Sequence, residues 1–235
     1  MDLYSNLVEA EQRLVALVSS IEADSYSSPT PCDRWDVRAL LSHALASIDA
    51  FAAAVDGAPG PDMAQVFSGA DIVGDDPLGA TQRITRRSQA AWSTVRDLNA
   101  ELSTFIGVMP AGQALAIITF STVVHGWDLA VATGQAGELP EHLAEAAQQV
   151  AAELVPVLRP RGLFAHDVDL AGEATPTQRL VALTGRKPRG AAFGCRVRSF
   201  WRRRAHGSDV VGFPPGWVSA AVGGDMDVVV VVEGF

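Results

Sequence analysis

Cysteine is scarce in this chain: Cys32 and Cys195 are the only two among 235 residues, and neither has a second cysteine at metal-knuckle spacing. That excludes a disulfide framework and a cysteine-based zinc ribbon. Positive charge is also short. Lys and Arg number 18 against 27 Asp and Glu, a net charge of -9, and such a balance disfavours a nucleic-acid partner, whose phosphates call for cations. No uninterrupted apolar run reaches the ~18 residues of a membrane span. The opening "MDLYSNLVEAEQRL" has neither the basic start nor the apolar stretch of a secretory signal. These absences lead to the expectation of a cytoplasmic protein with neither a nucleic-acid nor a membrane partner.

What is present is apolar surface. Hydrophobic residues make up 48% of the chain and charged ones 19%, enough for a sizeable core. Leu3, Leu7, Leu14, Val15, Leu17, Val18 and Ile21 recur at helical spacing and predict a first amphipathic helix. "ADSYSSPTPCDRW" breaks it. A second helix starts behind Asp36 as N-cap and stops at Gly57; a third starts at Asp76–Pro77 and is expected to reach about Phe105; a fourth runs from about Ala111 to Thr133 and ends at Gly134. Four helices with one apolar stripe each bury those stripes against one another, so the expected fold is all-α, a four-helix bundle. The expected core contains Leu7, Leu14, Leu41, Ile48, Leu115 and Ile118. The first two links, of about 14 and about 20 residues, call for long crossovers or extra short helices. An additional helix over about 138–158 should pack on the bundle, and "TPTQRLVALTGR" predicts a short helix ending at Gly185.

Beyond residue 190 the composition changes. This segment carries five basic and four acidic residues and closes on "MDVVVVVEGF", a strand-forming run with no clear partner. The expected organisation is a helical domain over 1–190 and an appended, weakly ordered tail over 191–235.

The candidate chemistry lies in the helices. On the fourth, Ser121 precedes His125 by four residues and Asp128 follows it by three, spacings that share a face. His43 flanks the core face of the second helix formed by Leu41, Ala44 and Ile48. Two histidines on different helices can meet in a bundle core and hold a divalent ion, since imidazole nitrogen is a zinc ligand and bundle cores build such sites. The same pattern also suits buried histidines that simply hydrogen-bond a carbonyl or a carboxylate. His142, His166 and His206 read as surface residues, Trp35 and Trp127 as core or pocket-wall aromatics, and Arg86 and Arg87 as a solvated face.

"TPCDRWDVRALLSHAL", Thr30 to Leu45, and "VVHGWDLAVATG", Val123 to Gly134, together resemble the metal-binding N-terminal domain of mycothiol-dependent maleylpyruvate isomerases, of the DinB/YfiT-like superfamily. The nearer likeness is to actinobacterial members that also carry a segment like "TPTQRLVALTGRKP", Thr175 to Pro188. The resemblance covers residues 1 to about 190. It implies a DinB-like four-helix bundle holding a divalent metal, commonly zinc, with His43 and His125 as ligands and a low-molecular-weight thiol as cosubstrate of a transferase or isomerase. The family's remaining ligand is acidic and lies four positions before the second histidine, where this chain has Ser121. A neutral hydroxyl lacks the charge that offsets a metal, so Asp128 and Asp49 are the expected substitutes. Without a substitute the reading becomes a metal-free bundle, a small-molecule binding or structural module with a degenerate site.

Overall fold

The computed structural model describes residues 2–32, 34–170 and 172–188. The tail expected over 191–235, with Cys195 and His206, lies outside the described residues. The order of elements is α1 (Leu3–Val18), α2 (Val37–Asp56), α3 (Met63–Ser68), α4 (Pro77–Trp92), β1 (Glu101–Thr104), β2 (Gly107–Pro110), α5 (Ala111–Ala132), α6 (Glu141–Leu158) and α7 (Pro176–Leu183). The fold is all-α in its core: α1, α2, α4 and α5 pack around one another as a four-helix bundle.

Local chemistry accounts for the helix ends. Asp36 and Asp76 cap α2 and α4 by accepting from the Ala39 and Gly79 amides, and Pro77 occupies the first turn of α4, where no amide proton is needed. Gly57 leaves α2 at φ 70°, a left-handed conformation that glycine adopts without strain. All six residues expected in the core are at most 2% exposed. The helix α5 is apolar nearly all round because it packs against α1, α2 and α6 at once. By length and composition α2 and α5 would both pass for membrane spans, yet 61% and 72% of their apolar windows are buried within the protein.

Two features depart from expectation. The helix predicted to reach Phe105 stops at Trp92. There Ser93 and Thr94 hydroxyls take the carbonyls of Ala90 and Ala91, so side chains satisfy the last turn. Residues 101–110 then form an antiparallel hairpin with Leu102 opposite Met109, turned at Gly107. Phe105 at its tip packs on Phe51 at 5.1 Å between ring centres. The long second link contains a short extra helix, as its length led one to expect: α3, started by a capping box between Asp62 and Gln65. The added helix α6 lays Leu143, Ala147, Ala151 and Val155 into the same hydrophobic core as the bundle, and Leu180 of α7 joins them.

Candidate metal centre

The turn before α2 is built around Thr30. Its hydroxyl lies 2.8 Å from the Trp35 carbonyl and accepts from the Cys32 amide at 3.1 Å. This folds "TPCDRW" tightly onto the start of α2 and brings Cys32 and Trp35 toward the bundle interior. Trp35 stacks on His43, with ring centres 4.3 Å apart. Gly69, at the end of α3, makes room for the indole: a Cβ there would stand 2.8 Å from Trp35 Nε1.

His43 and His125 meet across the bundle with ring centres 5.0 Å apart and planes at 85°. His43 Nδ1 is bonded to the Val66 carbonyl. A carbonyl can only accept, so Nδ1 carries the proton. Burial, and next the neighbouring His125, push the His43 imidazolium down to about 3, which keeps the ring neutral. His125 Nδ1 faces Asp128 Oδ2 at 3.4 Å. In both rings Nε2 is left without a hydrogen bond among the described residues, and a neutral imidazole Nε2 is a metal-binding atom. Such fixing of the far nitrogen by a carbonyl or carboxylate is how metal-ligating histidines are oriented.

Asp128 is fully buried. Arg186, arriving just past α7, holds it in a side-on fork, Nε to Oδ1 at 2.6 Å and Nη2 to Oδ2 at 2.7 Å. Cys32 Sγ donates to Asp128 Oδ2 at 3.3 Å and accepts from Arg186 Nη2 at 3.3 Å. Burial works to raise the Asp128 carboxyl, but the Arg186 charge and the His125 and Arg186 hydrogen bonds outweigh it and hold the group below the ordinary carboxylate range. Burial and the Asp128 charge push the Cys32 thiol far up, so it rests protonated. Cys32, His125 and Asp128 offer ligand atoms within 4.8 Å of one another, a candidate metal-binding group.

Of the site residues expected from sequence, His43, His125 and Asp128 come together. Ser121 sits one turn before His125 on α5, half-buried. Asp49 does not join: Arg87 takes it at 2.7 Å together with Asp56 at 3.0 Å. That cross-link also corrects the reading of Arg87 as a merely solvated side chain. His142 pairs with Glu9 at the surface, and His166 is exposed in a loop. Trp127 lines a cavity of about 290 Å³ with Arg13, Leu14, Gly126 and Gly137, a lining that includes neither His43 nor His125. Sequence reasoning missed Cys32 and Arg186. Both lie inside the family-like motifs, in "TPCDRW" and "LTGRKP", and that position was the available signal.

The helical bundle thus brings together a histidine from each of two core helices, with a carboxylate braced behind one ring, as a candidate metal-binding arrangement. The chain belongs to the mycothiol maleylpyruvate isomerase N-terminal domain family, whose profile matches residues 7–130. Two strains of Mycobacterium tuberculosis each have a protein, named as uncharacterized, that is 27% identical over 189 residues, covering 77% of this chain and 95% of its own length. The crystal structure of the mycothiol-dependent maleylpyruvate isomerase shares the fold at 16% identity and a TM-score of 0.50, over 65% of this chain and 69% of that one. A histidine-to-alanine variant of that enzyme aligns at a TM-score of 0.51, with the same identity and coverage.

Proposed function

We propose that the protein binds a divalent cation, zinc in the first place, through Nε2 of His43 and Nε2 of His125, and that the loaded site serves a thiol-dependent transfer or isomerisation. The observation that carries this reading is the pair of imidazoles 5.0 Å apart, each with Nδ1 engaged and Nε2 left over. The residues fit an ion by two nitrogens. Ser121, at the position where the family carries an acidic ligand, adds only a neutral oxygen, which makes the site a weak one. A bound ion would supply Lewis acidity and stabilise a thiolate near neutral pH. Trp35 walls one face of His43, Asp128 orients His125, and burial keeps the His43 ring neutral. The small-molecule partner is read as a low-molecular-weight thiol from the mycothiol dependence named for the structural relative. A cytoplasmic setting, where thiols stay reduced, suits the free Cys32.

A second reading, a metal-free bundle acting as a binding or structural module, is favoured by one specific observation. The carboxylate that faces His125 is already held by Arg186. Metal analysis of the purified protein, then zinc titration of the chelated protein, decides between the two. His43→Ala and His125→Ala are expected to abolish uptake, and Ser121→Glu to tighten binding by roughly tenfold or more by restoring a charged oxygen one turn before His125. No uptake by the parent or by Ser121→Glu would establish the second reading.

A further inference from the structure

The cluster of Cys32, His125 Nδ1 and Asp128 offers one sulfur, one nitrogen and one oxygen, a donor set suited to zinc or cobalt. The Arg186 guanidinium already stands among them. It spans both Asp128 oxygens and also touches Cys32 Sγ, while its side chain is only 10% exposed. A dication placed there would face a fixed positive charge and would have to break a buried fork.

The route that delivers Arg186 is written locally. Thr175 and Gln178 close a capping box, Pro176 starts α7, and Leu180 anchors it in the core. Gly185 then turns the chain at φ 82°, where a Cβ would stand 2.7 Å from Ala165 Cβ. The Arg186 amide bonds back to the Val181 carbonyl at 2.9 Å. All of this lies outside the residues matched by the family profile.

We propose that Arg186 is a positioning residue, a tethered cation that commits Asp128 to orienting His125 and thereby keeps closed a second, thiolate-containing metal site made of Cys32, His125 Nδ1 and Asp128. The first half rests on the Nε2 reading above; the second half stands without it. With the guanidinium gone, the buried carboxylate is left uncompensated and a soft divalent ion is the available partner. Cys32 then releases its proton to solvent as sulfur binds the metal.

Cobalt(II) reports the difference, because a thiolate ligand adds a sulfur-to-cobalt charge-transfer band in the near ultraviolet. The full-length parent should show no such band. Arg186→Met should gain one, keep it in Arg186→Met/His43→Ala, and lose it in Arg186→Met/Cys32→Ser. Arg186→Lys, which retains the charge, should stay without it. A band in the parent, or a folded Arg186→Met protein that takes cobalt without a band or takes none, overturns the proposal. If the parent binds no cobalt while Arg186→Met does so with the band, the Nε2 reading alone has failed. Should Arg186→Met fold only in the presence of cobalt, the band decides in the same way. Should it not fold at all, Asp128→Asn in the parent background replaces it. Cobalt affinity falling by roughly ten- to a hundredfold supports the orienting role, and unchanged or undetectable affinity overturns it.

Discussion

The bundle buries two polar groups of residues, and they are handled in opposite ways. Between α2 and α5, the Asp128 carboxylate accepts from Arg186 and Cys32 and faces His125 Nδ1, while Val66 takes His43 Nδ1. Where α1 packs on α4, the buried atoms Asn6 Oδ1, both Glu11 oxygens, Ser88 Oγ and Trp92 Nε1 have no hydrogen-bond partner among the described residues. The first group is wired so that each charge has its complement. The second holds its carboxyl without a partner: burial raises the Glu11 carboxyl to about 7, so that it is neutral below that pH, and neighbouring Ser88 and Gln89 offset the rise only in part. Charge balanced by pairing and charge removed by protonation therefore coexist in one core, and they answer differently to perturbation.

The largest effect should come from breaking the paired group. Asp128→Ala strands the Arg186 charge in the interior and is expected to lower stability by about 3–5 kcal/mol in chelator-treated protein, read from urea unfolding. A loss below about 1 kcal/mol would show that Arg186 escapes to solvent and that the group is not as enclosed as described. The unpaired group should respond to pH instead. Because the folded state holds the Glu11 proton more tightly than the unfolded chain, its contribution is fully retained below 4.5 and lost as pH rises through the window up to about 7. The loss above that window is about 3 kcal/mol. Glu11→Gln, which cannot ionise, should flatten this part of the stability profile, and a parent profile that rises from pH 5 to 8 would place Glu11 on the paired side of the comparison. The smallest effect belongs at the rim. Asp49→Asn removes one partner of the part-exposed Arg87, which keeps Asp56. It should cost under about 1 kcal/mol and leave cation affinity unchanged, whereas lost affinity would return Asp49 to the site.

Helix starts were legible wherever a short-range rule applies, as at Asp36 and at Asp76–Pro77. The six core positions followed from spacing alone. The opposition of His43 and His125 was legible through the two motifs, which carry it as a pair. The hairpin at residues 101–110 was not, because Ser93 and Thr94 end α4 by side-chain bonds that a polar helix surface would display equally well. Nor was the wiring of Asp128. Arg186 lies 154 positions from Cys32 and 58 from Asp128, and no periodicity reports a contact of that range. The enclosure of Glu11 was not legible either, since only the packing of α4 against α1 buries its side chain.

The helix α7 has eight residues, too few to persist alone in water. Its contacts with α6, its capping box and the grip of Arg186 on Asp128 hold it in place. Opening of this short element withdraws the guanidinium and uncovers Asp128 in one motion, so the amides of α7 and the chemical environment of His125 share a single opening free energy. In hydrogen exchange the end of the described chain and the centre of the bundle would then behave as one cooperative unit, despite their separation in sequence.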